Sequence, residues 1–303
     1  MNHQAFNHIV GQDHLKRQLS FYLDSFKTTG VLPFLMFNGQ RGIGKTEFAR
    51  AVGAATKKVF LEINSSSIKN EKQFFEQIMP QIQDTECVLF FDEIHEAPRK
   101  LIAAFLTIFN TEKKSVVYYT YQDVEYRFDF TKMSFIFATT EMDRLFAPFK
   151  DRLTVVDFVP YTNDEVKRIV QKRIPDVKFE SGVLNEIATT IRGNARSAVK
   201  RAKEIEMYCE AKNNPSFSLE DWKSLCHKAN INTRGLSNTE IQILSALKER
   251  GPLTLTMLSA ITGLSVQALR KDAELHLLKM NLLRIDGKRE ITSHGLRLLE
   301  TIS

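Results

Sequence analysis

Apolar positions along this chain repeat in three regimes. Up to about residue 160, continuous apolar runs alternate with helically spaced stretches. The runs at 32–38, 88–91 and 133–138 fit buried strands, which are apolar on both faces, and 59–64 reads as a further strand. Between them, 46–52, the positions Phe74, Phe75 and Ile78, and 101–109 have helical spacing. A helix is also predicted near the start, where Leu15, Leu19, Tyr22 and Leu23 share a face. One stretch has period two: Val124, Tyr126, Phe128 and Phe130 face one way, and Glu125, Arg127 and Asp129 the other. That predicts a β-hairpin turning near Gln122 and Asp123.

From 163 to 229 the pattern is helical throughout, with Val166, Ile169 and Val170, then Leu184, Ile187 and Ala188, then Ala198, Ala202, Ile205 and Tyr208. Pro175 and Pro215 punctuate it. A third regime begins at Gly235. Ile241, Leu244 and Leu247 give one helix, stopped by Gly251-Pro252. A short second helix covers 254–262. Ser265 caps a third, with Val266, Leu269, Ala273, Leu277 and Leu278 facing inward. Residues 282–292, with Asp286-Gly287 at the turn, read as a hairpin. Helix-turn-helix plus β-wing makes a winged helix. Its third helix would expose Gln267, Arg270 and Lys271, and its wing Arg284, Lys288 and Arg289. These could meet DNA phosphates or groove edges. Asp272 and Glu274 weaken that patch, and a protein-binding winged helix is the competing reading.

Chemistry is concentrated in the first regime. Gly39-Gln40-Arg41-Gly42-Ile43-Gly44-Lys45-Thr46 fits G-x-x-x-x-G-K-[ST], between a strand and a helix. Glycine-rich backbone brings N–H groups onto phosphate oxygens, and the helix N-terminus adds its dipole. The expected binding residues are Gly39, Gly42, Ile43, Gly44, Lys45 and Thr46. Lys45 would reach the β/γ phosphates of ATP, and Thr46 would hold Mg²⁺. The run at 88–91 ends in Asp92 and Glu93. Strand C-terminal ends are where α/β ligands bind. Asp92 would contact the Mg²⁺ shell, and Glu93 would orient the attacking water. Ile9 and Val10, just before the first helix, could flank an adenine ring. His95 could act as a relay or simply bind a neighbouring carboxylate.

Composition narrows this modestly. A chain of 303 residues suggests two or three domains. A net charge of +6 leans toward nucleic acid without requiring it. Cys87, Cys209 and Cys226 lack metal spacing and read as reduced thiols of a cytoplasmic protein. Neither a signal peptide nor a membrane span is expected.

Taken in order, the phosphate loop, Asp92-Glu93-Ile94-His95, Ala138-Thr139-Thr140, Asp151-Arg152, Arg192-Gly193-Asn194-Ala195-Arg196 and the terminal winged helix resemble the AAA+ ATPases. More narrowly they resemble the RuvB-type motors that drive Holliday-junction branch migration. The likeness runs over nearly the whole chain. It implies an α/β P-loop AAA+ core over 1–160, a small α-helical lid over 161–234 and a winged-helix DNA-binding domain over 235–303. It also implies Ile9 and Val10 on the adenine side, Tyr161 beside the base, Thr140 and Arg196 as sensors, and Arg152 as an arginine finger acting on a neighbouring subunit. The implied function is an ATP-hydrolysing ring motor, a homo-oligomer of hexameric type, on double-stranded or branched DNA. A DNA-binding loader or replication initiator of the AAA+ plus winged-helix type is the alternative. The chain departs from the family at Gln40-Arg41, where two prolines are usual, at Glu47, and at Lys150. Its hairpin near Gln122 is shorter than the one that docks the family's partner RuvA, so a RuvA-like partner is the least supported expectation.

Overall fold

The computed structural model describes residues 3–110 and 115–301; the side chains of His3, Lys271 and Asp272 lie outside the description. The chain forms two compact units. The first comprises residues 1–175 and 193–206, and the second 176–192 and 207–303.

In the first unit, a parallel sheet has the order β2-β3-β6-β1-β7. Its strands are β1 (Leu35–Asn38), β2 (Val59–Asn64), β3 (Cys87–Asp92), β6 (Met133–Thr139) and β7 (Thr154–Asp157). Registers pair Asn38 with Thr139 and Asn64 with Asp92, so the C-terminal ends of the four strands line up. The site lies at these ends, as expected of a parallel sheet. Strand β7 was not legible in the apolar pattern. It is a short edge strand in which Val156 alone is buried. Its outer side is covered: Gln18 Nε2 donates to the Val155 carbonyl, and His14 Nε2 lies 3.3 Å from the Asp157 carbonyl. Covered edges do not template pairing with other chains.

The expected hairpin is present as β4 (Val116–Tyr121) and β5 (Val124–Asp129), with Gln122 and Asp123 at positive φ. Two adjacent left-handed residues match the twist of the flanking strands. Tyr119 and Tyr121 stack on Phe75, with ring centroids 5.2 and 4.7 Å away. The helix expected around Phe74 is interrupted. Phe74–Ile78 is π-helical, and both Phe74 and Phe75 are fully buried. The wider turn lets adjacent residues face one core. That core is rich in phenylalanine, with Phe91, Phe105, Phe109, Phe135, Phe137 and Phe149 among its buried rings.

The second unit holds Val183–Thr189 and Leu219–Lys228 beside a parallel two-residue pair, β8 (Lys178–Phe179) and β9 (Ser216–Phe217). This pair was not expected. Trp222 is buried in the same unit. The winged helix follows as Asn238–Arg250, Leu255–Thr262, a third helix, and the wing of β10 (Leu283–Asp286) and β11 (Lys288–Ile291). The last helix, Ser293–Glu300, was not expected. The third helix is π-helical over Leu269–Glu274. Leu269, Ala273 and Leu277 face inward as predicted, whereas Val266 and Leu278 are exposed. A π turn shifts the register of faces, so 3.6-residue spacing misplaces the ends. In the wing, Asp286 pairs with Lys288, leaving Gly287 at the tip with φ +64.

Glu240 anchors this unit. It is fully buried and accepts from Arg192 Nη1 at 3.1 Å and Ser237 N at 2.7 Å, and lies 2.9 Å from His276 Nδ1. Arg192 also donates to the Gly235 carbonyl. Burial alone would raise the Glu240 pKa, but the bonds from His276, Arg192 and Ser237 outweigh it and pull it down to about 2.

The compact units do not break at 160/161, where the sequence pattern changes. Glu165 Oε1 accepts from Gln12 N, and Asn194 Nδ2 donates to the Arg41 carbonyl. These bonds hold 161–175 and 193–206 to the sheet's own unit.

Candidate nucleotide-binding site

The phosphate loop leaves β1 and enters the helix Lys45–Thr56. Gly42 has φ +78, and a Cβ there would lie 2.7 Å from Asn194 Oδ1 and 2.9 Å from Arg196 Cβ. Only glycine meets both demands. Arg196 N donates to the Gly42 carbonyl at 2.9 Å, so the loop and the start of the helix Ala195–Lys212 are bonded through backbone. Lys45 is buried, and its ammonium donates to the carbonyls of Gly39 at 2.7 Å and Gln40 at 3.2 Å. Burial lowers its pKa, against the nearby charges of Glu93 and Asp92. With the free N–H groups of the helix start, this is a donor-rich cradle for phosphate.

Asp92 closes β3, and burial, followed by the charge of Glu93, raises its pKa. Glu93 has φ +51. Its Oε2 accepts from Thr140 Oγ1 at 3.1 Å and Thr140 N at 3.3 Å. Non-glycine residues held at positive φ cluster at functional sites. The His95 side chain is nearly buried, with Nδ1 2.9 Å from Thr139 Oγ1 and 3.3 Å from Glu93 Oε2. Its Nε2 lies 3.3 Å from Glu96. His95 therefore binds neighbouring carboxylates, the simpler of the two readings. Arg144 bridges Glu96 and Glu141 beside it.

A cavity of about 850 Å³ joins these groups, within the size range of small-molecule sites. It gathers Ile9, Val10, Gly42, Gly44, Lys45, Thr46, Asp92, Glu93, Tyr161 and Arg196. Gly39 and buried Ile43 support the loop without lining it, and Thr140 acts on the site through Glu93. Tyr161 is buried against Gly44, and burial, then the charges of Glu165 and Glu47, pushes its pKa up to about 12. Several wall residues went unanticipated, among them His8, Ile169, Lys172 and Val199. Lys172 Nζ donates to the His8 carbonyl and Lys16 Nζ to that of Ile9, both at 2.7 Å. Ile169 shares the apolar spacing of an ordinary core position, so nothing local marked it. The lining fits a nucleoside triphosphate, with apolar walls at one end and cations with helix N–H groups at the other.

Family models agree with this geometry. The ATPase family associated with various cellular activities (AAA) matches residues 35–161, and the RuvB C-terminal winged helix domain matches residues 233–300. The chain is a RuvB-like AAA+ ATPase. It is similar to the Holliday junction branch migration complex subunit RuvB of Fusobacterium nucleatum, 26% identical over 311 residues, covering 96% of this chain and 90% of that one. The subunit of the same name from Thermotoga maritima is 25% identical over 300 residues, covering 92% and 86%. In three dimensions it resembles the Thermotoga maritima RuvB Holliday junction branch migration motor, with a TM-score of 0.79 at 22% identity, over 96% of this chain and 95% of that one. No helix among the described residues is long and apolar enough to cross a membrane.

Two groups of candidate residues in this RuvB-like chain lie outside the cavity. Arg152 is half-buried, with Nε donating to the Leu106 carbonyl at 3.1 Å and Nη1 to the Pro148 carbonyl at 2.7 Å. On the winged helix, Gln267, Arg270, Arg284 and Lys288 are exposed. Arg284 Nε donates to Glu290 at 2.7 Å. Arg289 departs from expectation. Its side chain is 12% exposed, and Nε donates to Glu274 at 2.7 Å. Its backbone bonds Leu253 in both directions, which turns the residue toward the body of the domain. The side chain of Lys271 lies outside the described residues.

No group of three or more metal-ligating side chains occurs among the described residues. A magnesium ion needs no such group, since one or two protein oxygens and substrate phosphates suffice. Thr46 and Asp92 are hard oxygen donors on one cavity, and the raised pKa of Asp92 marks a carboxylate short of positive charge. They fit the ion.

Proposed function

We propose that this chain is an ATP-hydrolysing ring motor that translocates on double-stranded DNA, acting in branch migration of Holliday junctions. The observation that carries the reading is the single cavity on which Lys45, Asp92, Glu93 and Arg196 converge, in a chain that also has a RuvB-type winged helix. Its similarity to branch-migration subunits along most of its length supports the same conclusion. Functionally, the chain divides into an ATPase core over 1–160, a lid over 161–234 and a winged helix over 235–303.

Lys45 and the loop N–H groups bind the ATP phosphates. Thr46 and Asp92 would hold Mg²⁺, which supplies charge neutralisation at the β- and γ-oxygens. Glu93 orients the attacking water. Thr140, bonded to the Glu93 carboxylate, senses the reacting end. Arg196 reads the nucleotide in cis from the lid helix. Arg152 acts on the neighbouring subunit's site, which requires a homo-oligomeric ring, of hexameric type. Such fingers are worth roughly 10³–10⁵ in rate. Gln267, Arg270, Lys271, Arg284 and Lys288 face DNA. The setting is the cytoplasm, and with a hairpin of only Val116–Tyr121 and Val124–Asp129, a RuvA-like junction-binding protein is the least supported partner.

The test is ATPase rate with and without duplex or four-way-junction DNA, alongside particle size with a slowly hydrolysed ATP analogue. DNA-stimulated hydrolysis by hexamers is expected. Slow, unstimulated turnover by monomers or dimers would replace the motor with a loader.

A further inference from the structure

Gln40 and Arg41 stand where the family has prolines, and the phosphate-loop reading gives neither a task. The fold separates them. Both side chains are exposed, but only Arg41 lines the cavity. Its backbone is fixed by its neighbours. The carbonyls of Gly39 and Gln40 accept from the Lys45 ammonium, the Arg41 carbonyl accepts from Asn194 Nδ2 at 2.7 Å, and the Gly42 carbonyl accepts from Arg196 N. Arg41 is thus held between the loop lysine and the residue that opens the lid-helix wall.

The Arg41 guanidinium itself makes no hydrogen bond or ion pair among the described residues, and neither does that of Arg196. Of the carboxylates that share the cavity, three are engaged elsewhere, and Asp92 accepts only the Glu93 backbone N–H. Glu93 is on Thr140, Glu96 is with Arg144 and His95, and Glu47 lies 3.5 Å from His8. Two free guanidiniums and a buried ammonium therefore converge on one space. Asp92 is the one carboxylate there not engaged by a side chain, so like positive charges exceed their counter-charge and the arrangement is complementary to a polyanion. A guanidinium fork matches phosphate oxygens bidentately.

We propose that Arg41 contacts the terminal phosphate of ATP from within the phosphate loop, giving the site a second arginine in cis beside Arg196. The proposal rests on the nucleotide reading above and adds a consequence to it: Arg41 makes the site discriminate ATP from ADP.

Calorimetric binding of a slowly hydrolysed ATP analogue and of ADP to the full chain tests this, for wild type, Arg41→Ala, Arg41→Lys and Gln40→Ala. Loss of one charge-assisted contact is expected to weaken the analogue about tenfold or more in Arg41→Ala, and ADP by less than about threefold. Arg41→Lys should fall between, and Gln40→Ala should change neither. Alanine keeps the Arg41 carbonyl that anchors the loop, and unchanged ADP affinity confirms an intact site. Equal weakening of both ligands would mean that Arg41 only shapes the loop, and no weakening of either would mean that it touches nothing; each overturns the proposal. If wild type bound neither nucleotide, the nucleotide reading would fall with it.

Discussion

Two carboxylates show how differently the two units treat buried charge. Glu240 is surrounded by donors from Arg192, His276 and Ser237, and its pKa is held down to about 2. Asp92 accepts one backbone N–H, from Glu93, and burial with the neighbouring charge of Glu93 raises its pKa. Both are drawn out of water. One is compensated by the protein itself and holds structure together. The other is left short of positive charge, and the guanidiniums that line the same cavity have no carboxylate bonded to them. A ligand of opposite charge completes the second arrangement, whereas the first needs nothing added.

The largest expected effect falls on the uncompensated side. Glu93→Gln should retain ATP binding and lower kcat by about a thousandfold, near 4 kcal/mol of barrier, measured under single-turnover conditions. Hydrolysis at the wild-type rate would remove Glu93 from the chemistry. On the compensated side, Glu240→Ala leaves Arg192 without its carboxylate and should destabilise the second unit by about 3 kcal/mol, read by denaturant titration. ATP affinity should hardly move, because neither Glu240 nor its partners Arg192, Ser237 and His276 line the cavity. The same carboxylate sets an acid limit. Its folded pKa lies below the unfolded value of 4.5, so its contribution is complete above that value and is lost as pH falls toward 2. In Glu240→Gln the stability of the unit should vary less over that window. The smallest effect separates two wing residues. Lys288→Ala should reduce the salt slope of DNA binding by about one, as for one lost phosphate contact, while Arg289→Ala should leave the slope alone and cost stability through Glu274. Equal slopes for both variants would erase the distinction drawn between them.

Much of this was legible in the sequence where local chemistry dictates local form. Gly42 and Lys45 follow from a motif whose spacing is imposed by the phosphate, Asp92 from an apolar run that ends in two acids, and the turn at Gln122 and Asp123 from strict alternation. What escaped was of three kinds. Strand β7 is too short and too exposed on one side to print an apolar run. The π turns at Phe74–Ile78 and Leu269–Glu274 break the 3.6-residue rule by which helical faces are read. Ile169 and Arg289 depend on what the fold brings opposite them: a lone isoleucine and a lone arginine on a strand carry no mark of a cavity wall or of a waiting Glu274. The compact units were hidden for the same reason, since Glu165 and Asn194 reach across long stretches of chain to make them.

The phenylalanine-rich core has an optical corollary. Trp222 is the chain's single tryptophan, and it is buried in the second unit. Its emission therefore reports on that unit's interior and is nearly blind to the packing of rings such as Phe105 and Phe137 around the sheet. A melting curve followed at tryptophan wavelengths and one followed by far-ultraviolet circular dichroism record different parts of one molecule. Their coincidence would be a measurement of cooperativity between the units, and their separation a measurement of independence.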